Sequence, residues 1–501
     1  MEDKLQALKQ RLLEVNDLNA AAALLSWDQT SYMPEGGAPA RGRQLALLSR
    51  LGHEKFTDPE IGRLLDALQS YGESLPYDDD DAALLRLTRR NYDRLVKVPN
   101  DFIGEISEHS AEIYQAWTQA RPENDFQRVR PLLEKTLDQS RRFAEYFAPF
   151  ENIADPLIDM SDYGMKADSV RRVFGQLREG LVPLVKAITE QAPMDDSFVH
   201  RHYPKQPQLD FGLDVIKDYG FDFKRGRQDL THHPFMTKFS IGDIRILTKV
   251  KEDDVRDCLY STLHETGHGL YEQGINPAYE GTPLNAGTSA GVHESQSRMW
   301  ENIVGRSREF WMHYYPKLQA VFPEQLKDVS MDAFYRSVNK VERSLIRIEA
   351  DEVTYNLHVM IRFELELQLL EGSLEIKDLP EAWDERYQSD LGVSSPDYRD
   401  GVLQDVHWYS GGIGGAFQGY TLGNILSAQF YEAALKAHPE IPAEIAQGKF
   451  DTLHGWLKEN IYQYGSKYTA PELIARVTGG WLEVQPLLNY LNKKFGELYT
   501  L

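Results

Sequence analysis

Apolar residues recur three and four positions apart over most of the chain, which is the period of an α-helix with one buried face. Leu5, Leu8, Leu12, Val15 and Leu18 set this stripe from the start. It returns over residues 81–98 with Leu84, Leu85, Tyr92, Leu95 and Val96, and stops before Pro99. The run Asp78 to Asp81 just ahead places carboxylates at the positive end of the helix dipole, a simpler explanation than a cation site. Helical patterns continue through 101–150 and 168–192, and again from about 331 to 372 and about 425 to 500. Residues 196–250 break the rhythm, being rich in Pro, His, Gly and aromatics. Here Phe239 to Val250 reads as extended, with Ile244 and Ile246 on one face and Arg245 on the other. The pattern predicts a mostly α chain with one small β-sheet, mainly helical over 1–195.

Composition narrows the class. At 501 residues, with 42% hydrophobic and 26% charged residues, the chain is ordinary globular material and not a disordered one. Lys+Arg number 55 against 77 Asp+Glu, a formal net charge of -22. That field repels nucleic acid and anionic membrane surfaces, so neither is expected as a partner. The only cysteine, Cys258, lies in an apolar helical pattern and reads as a small core residue. No intrachain disulfide can form, no apolar run is long enough to span a bilayer, and Met1 to Leu5 carry no leader-like apolar stretch. A cytoplasmic protein is expected.

The chemistry sits just after the predicted strand. Val255, Leu259, Leu263 and Leu270 mark a buried helix face, and Glu252, Asp253 and Asp254 supply carboxylates at its start. On this helix lies His264-Glu265-Thr266-Gly267-His268. Residues four apart share a face, so both imidazoles can converge on one ion, as a Zn–N distance of about 2.0–2.1 Å demands. Glu265, one residue round, can reach a water on that ion without ligating it. Catalytic zinc usually takes three protein ligands. A continuation of the motif along the same helix fails, because Tyr271 and Gly274 stand where a Gly and a His would be needed, and Glu272 lies two turns from His264. Glu294, opening another helical stretch 26 residues after His268 (294 − 268), is the best third ligand. Gly267 and Gly269 each cost about 1 kcal/mol in a helix interior relative to Ala, which points to close packing there. The donor set suits one divalent ion, Zn2+ foremost, although two His and one carboxylate also accept Co2+ or Mn2+. Such a site would activate water against an amide, with Glu265 as general base.

Further motifs carry a resemblance. Trp27-Asp28-Gln29-Thr30-Ser31-Tyr32-Met33-Pro34 with Gly36, Gly37 and Arg41 comes first, then His233-Pro234-Phe235 and Asp243-Ile244-Arg245. The His264 to His268 motif, His293-Glu294-Ser295-Gln296, Ile346 to Glu352 and Gln404-Asp405-Val406-His407-Trp408 follow in order. In these the chain resembles the carboxypeptidase Taq family of metallocarboxypeptidases over nearly its full length. The resemblance implies one helical peptidase unit with a deep groove, 1–195 forming a wall or lid and 196–501 carrying the sheet, metal site and floor. It also implies a homodimer that releases C-terminal residues from peptides with broad specificity, with His264, His268 and Glu294 as ligands and Glu265 as base. Arg245 and Arg347 would stand at the blind end of the groove, where a substrate's free carboxylate arrives, and a guanidinium fork binds such a group bidentately. The plain alternative for Arg347 is a pair with Asp351 on one helix face.

Supporting roles are read from residue type. His407 and Tyr420 are candidate donors to the oxyanion of a tetrahedral intermediate. His233 is a candidate substrate contact, with a packed turn as the plain reading. Trp27 and Trp408 read as core, and Asp405 or Asp351 as the group that orients a ligand histidine. The chain departs from the family at Gly414 to Gly419, where a more mobile groove wall is expected. Two rival functions remain open: an endo-acting metallo-oligopeptidase with the same site, and a catalytically dead peptide-binding protein.

Overall fold

The computed structural model describes residues 1–501. Helices dominate it, and one three-stranded sheet sits beside the motif helix. The N-terminal stripe forms the helix Glu2–Ser31, which buries Leu5, Leu8, Leu12 and Val15 against the helices Pro59–Ser74 and Asp80–Leu95. Asp79 caps the last of these, its Oδ1 accepting from the backbone of Asp81 and Ala82, so the acidic run is a helix start. This layer has its own core, joined by Ile241, Ile275, Tyr279 and Leu284. The helices from Asn100 to Thr189 belong instead to the main core with the rest of the chain.

Three long helical expectations are broken by local chemistry. Residues 101–150 form two helices, Asn100–Glu123 and Phe126–Glu145, because Asn124 adopts a left-handed φ of 57° and Asp125 caps the second. The stretch 331–372 is not one helix. Met331–Val338 and Tyr355–Glu371 are separated by irregular chain that holds only the short 3-10 turn Arg347–Glu349. The stretch 425–500 divides into five helices, with Gly465 and Gly479 at positive φ between them. In the Pro-rich region a helix, Lys205–Asp218, buries Phe211, Val215 and Ile216; short length and flanking prolines hide it from a pattern search.

Strand β1 (Gly226–Leu230) pairs in parallel with β3 (Asp243–Thr248), and β2 (Phe235–Ser240) pairs antiparallel on the other side of β3. The predicted single extended run is thus a hairpin turning at Ile241 and Gly242. Ile244 and Ile246 are fully buried on one face of β3, and Ile246 lies against the motif helix at Gly269. Leu247 is also fully buried, because the opposite face is covered by the end of the N-terminal helix. There Trp27 packs edge-on against Phe239, and Tyr32 donates to Asp229 at 2.7 Å. A central strand covered on both faces is a stiff base for the helix that follows it.

Trp27 and Trp408 are both core residues. The Trp408 indole donates to Glu366 Oε1 at 2.8 Å, while Glu366 Oε2 is buried without a partner. Burial pushes the Glu366 carboxyl up to about 7, against the Trp408 hydrogen bond. The folded chain therefore keeps a proton there that the unfolded chain releases near 4.5. Proton uptake on folding makes stability fall as pH rises between those two values, by at most about 3 kcal/mol. Glu366→Gln should flatten that decline and raise the unfolding free energy at alkaline pH, as read from denaturant melts across the range. An unchanged slope would show that Glu366 is ionised in the folded chain.

Candidate metal centre

The motif helix, Val255–Gly274, starts directly after β3 and is capped by Asp254, whose Oδ1 accepts from the Arg256 backbone. Glu252 and Asp253 precede this helix and are not part of its first turn. The helix Ala290–Arg298, capped by Ser289, crosses it closely. A Cβ on Gly267 would lie 2.5 Å from the Gln296 carbonyl oxygen and 2.6 Å from Ser297 Cα. Only glycine admits that approach. The helix Gln418–Ala437 presses on the other side, where a Cβ on Gly423 would lie 2.5 Å from Glu294 Cβ.

These crossings bring His264, His268 and Glu294 together, with one donor atom from each all within 4.8 Å of one another. Glu294 Oε2 lies 3.6 Å from His264 Nε2 and 3.5 Å from His268 Nε2. The edge of a tetrahedron around an ion with ligands about 2.1 Å away is roughly 3.4 Å, so the donors fit a small divalent ion. Arg298 Nε donates to Glu294 Oε1 at 2.7 Å, turning the other oxygen toward the histidines. The Glu294 carboxyl is held well below its usual range by Arg298 and His264, which outweigh burial.

Each imidazole is fixed from behind. His264 Nδ1 donates to Glu301 Oε2 at 2.8 Å, which leaves the Nε2 lone pair facing the site. Glu301 stands on a π-helical turn, Met299–Val304, and is itself paired with Arg298 and Arg306. His268 Nδ1 meets His293 Nδ1 at 2.6 Å, and His293 Nε2 meets Glu272 Oε1 at 2.8 Å. Glu272 is further held by Lys238 at 2.7 Å, and its carboxyl is lowered to about 2 by His293 and Lys238 against burial. A carboxylate accepts, so His293 donates through Nε2 and its Nδ1 accepts from His268 Nδ1–H. The relay leaves His268 Nε2 unprotonated and aimed at Glu294. Neither Asp405 nor Asp351 orients a ligand histidine. Asp351 caps Val353 and Thr354, and Asp405 lies elsewhere in the site.

Glu265 is buried beside these groups, 6% exposed. Burial pushes its carboxyl up to about 7, with Glu294 and Glu301 adding to the rise and His264 opposing it.

A second cluster is organised by Asp405. Its carboxylate accepts from Arg347 Nε at 2.6 Å, Arg362 Nε at 2.9 Å and His407 Nδ1 at 2.5 Å. Arg347 thus pairs with Asp405 and not with Asp351, and its Nη1 donates to Tyr355 Oη at 3.0 Å. Tyr420 Oη lies 3.1 Å from His407 Nε2, and burial raises its hydroxyl above its ordinary value, so it stays a neutral donor. The Arg298 guanidinium, which holds Glu294, lies 4.5 Å over the Tyr355 ring, so the second cluster adjoins the first. His233 faces the same cluster: burial, Lys249, Arg347 and His407 together depress its basicity. Arg245 stands apart on the sheet. It is paired bidentately with Asp243 at 2.9 and 2.8 Å and lies between the Trp27 and Phe239 rings, 4.3 and 4.9 Å from their centroids. Gly414 and Gly415 take positive φ and pack on Leu157, while Ala416 is exposed.

A helical scaffold that converges two histidines and a glutamate beside a buried glutamate defines a metallopeptidase of the His-Glu-x-x-His kind. The chain belongs to the Carboxypeptidase Taq (M32) metallopeptidase family, whose profile matches residues 7–495. It is therefore a peptide hydrolase of the metallocarboxypeptidase class. It is 41% identical to thermostable carboxypeptidase 1 of Thermus thermophilus over 99% of both chains, and 35% identical to carboxypeptidase 1 of Bacillus subtilis over 98% of this chain and 97% of that one. The crystal structure of an M32 carboxypeptidase from Deinococcus radiodurans R1 superposes with a TM-score of 0.97 at 50% identity over 100% of both chains. Metallocarboxypeptidase 1 of Trypanosoma cruzi gives 0.94 at 29% identity, over 99% of this chain and 100% of that one.

The backing groups should matter nearly as much as the ligands. Glu301→Gln and His293→Phe are each expected to lower metal affinity about 10–100-fold, measured by competition with a chromophoric chelator; unaltered affinity would show that Nδ1 support is dispensable. Gly267→Ala should destabilise the fold by about 1–3 kcal/mol and also weaken metal binding, because the helices must separate. Gly455→Ala, where nothing lies within 4 Å of the added Cβ, should instead be neutral or gain about 0.5–1 kcal/mol. Equal thermal shifts in the two variants would sink the close-approach argument.

Proposed function

We propose that the chain removes C-terminal amino acids from peptides one at a time with broad side-chain tolerance, with His264, His268 and Glu294 holding one divalent ion, Zn2+ foremost. The observation that carries this reading is the convergence of two backed Nε2 lone pairs and one Glu294 oxygen beside a buried carboxyl near neutral basicity. The ion supplies Lewis acidity toward the scissile carbonyl and toward water. Glu265 takes the proton from the attacking water and returns it to the leaving amine, a task suited to a carboxyl raised to about 7. Tyr420, neutral and at the edge of the site, donates to the developing oxyanion, and His407, held by Asp405, sets the direction of that hydroxyl.

An exopeptidase must also hold a free carboxylate. Arg347 already spends its Nε, Nη1 and Nη2 on Asp405 and Tyr355, so it contributes charge and shape. Arg245 keeps Nη1 unengaged and offers a direct contact. His233, whose basicity Arg347 and His407 help to lower, lines the Arg347 end and contacts the substrate. No helix is long and apolar enough to cross a membrane. Buried Cys258, its thiol pushed up to about 12 by burial, is unreactive and suits a reducing compartment, so we assign the enzyme to the cytoplasm and, on its family, to a homodimer.

Hydrolysis of a short peptide as free acid and as C-terminal amide tests the reaction. Stepwise shortening of the free acid only, abolished by chelation and restored by zinc or cobalt, is expected. Internal cleavage of both forms would replace this reading with an endo-acting oligopeptidase. Glu265→Gln should retain bound metal and lose at least about 100-fold in kcat; wild-type turnover in that variant would remove Glu265 from its role.

A further inference from the structure

The helix Asp80–Leu95 treats its arginines unequally. Arg89 pairs with Asp66 and Asp93, and Arg86 stacks 3.8 Å over the Tyr77 ring while donating to the Tyr77 carbonyl at 2.8 Å. Arg90 and Arg94, one turn apart on the face toward the body of the protein, have no carboxylate partner. The Arg90 guanidinium lies 3.9 Å over the Tyr163 ring, and its Nε is buried without any acceptor. Arg94 finds only the sulfur of Met160, a weak acceptor. The nearest carboxylates are engaged elsewhere. Asp159 accepts from the Gly164 backbone at 2.9 Å, and Glu472 is held by Thr469 and Tyr77.

Two partly buried guanidinium groups one turn apart, with no carboxylate in ion-pair contact, are unfavourable. Burial lowers the basicity of both, more than Tyr163 and Asp159 restore, and the Arg94 charge adds to the fall at Arg90. In a chain with 77 acidic residues against 55 basic ones, such a pair is out of character. What two guanidinium forks accept is a planar or tetrahedral oxyanion. The place is also connected to the metal site. The segment that carries Tyr163 holds the first turn of the Glu294 helix, since Ser161 O accepts from Ala290 N at 2.9 Å and Asp162 Oδ1 from Gly291 N at 2.7 Å.

We propose that Arg90 and Arg94, with the Tyr163 ring as floor, bind an oxyanion of the carboxylate or phosphate class. Its source is either an acidic side chain of a bound peptide or a free anion in solution. The peptide source rests on the carboxypeptidase reading; the anion site itself does not. Thermal unfolding of the metal-loaded enzyme in inorganic phosphate, against chloride at equal ionic strength, tests the site without reference to activity. Phosphate should raise the wild-type midpoint by a few degrees and leave Arg90→Gln/Arg94→Gln unmoved. Without phosphate that double variant should melt no lower than wild type, because a like-charge pair is gone; should it fail to fold, Arg94→Gln alone carries the same comparison. Kinetics on two free-acid peptides that differ only by Glu or Gln upstream of the cleaved bond then identify the source. A several-fold drop of the Glu-to-Gln ratio of kcat/KM in the variant assigns the site to acidic peptides. A phosphate response with an unchanged ratio assigns it to a free anion. A phosphate shift that survives the double substitution, or no phosphate shift together with an unchanged ratio, overturns the proposal. Absence of any hydrolysis would fall on the peptidase reading alone.

Discussion

Everything at the centre of this protein depends on the contact between the motif helix and the Glu294 helix at Gly267. A backbone-to-backbone approach, with a Cβ excluded at 2.5 Å, sets the spacing at which a Glu294 oxygen stands 3.5–3.6 Å from both Nε2 atoms. Metal coordination tolerates errors of a few tenths of an ångström. Side-chain rotamers alone could not hold three donors from two helices to that tolerance. Helix crossings fixed by glycine on both sides of Glu294, at Gly267 and Gly423, can. The doubly covered central strand completes the arrangement, because it determines where the motif helix begins.

Charge is arranged around that geometry with equal care. Four carboxylates (Glu265, Glu272, Glu294 and Glu301) are buried near one another, an arrangement that would drive proton uptake in isolation. Arg298, Arg306 and Lys238 hold three of them ionised. Glu265 alone forms no ion pair with an Arg or Lys, and of the four it alone is raised toward neutrality, burial outweighing His264 and Arg298. The environment therefore separates three supporting carboxylates from one that can exchange a proton, which is how acid and base roles are normally distinguished in an active site.

Much of this could be read from the chain, and the boundary is physical. Period and spacing mark which residues share a face, so the His264–His268 pair, the neighbouring Glu265 and the covering strand are all visible in the sequence. The rejection of Glu272 as a ligand was sound for reach along the helix, yet blind to its position behind His293. Glu301 was missed because a π-helical turn shifts the register on which spacing arguments rely. For Arg347 the sequence offers a substrate's carboxylate or, as the plain alternative, Asp351 four residues on, whereas Asp405 holds it from 58 residues away. Local rules propose local partners, and nothing in a helix pattern foretells that residues 339–354 leave the helix. Asp125, which caps a helix start, and Asp351, which holds the turn before another helix, are legible in the sequence only as residue types that favour turns.

The Asp405 cluster suggests why one residue would be released at a time. A single carboxylate fixes Arg347 and Arg362 and also orients His407, which meets Tyr420. Under the proposed function, Arg347, which supplies charge to the substrate's terminus, and Tyr420, which meets the scissile carbonyl, are then parts of one network, with Arg245 held on the sheet by Asp243. Arg362 is fully buried within it, and Gln404 and Tyr387 fill its remaining donors, so the network has no slack side chain through which to stretch. The distance from terminal carboxylate to reacting carbonyl becomes a property of the fold, independent of the side chain between them. That independence is what broad tolerance requires: a fixed reach along the backbone, and little demand on what the last residue carries.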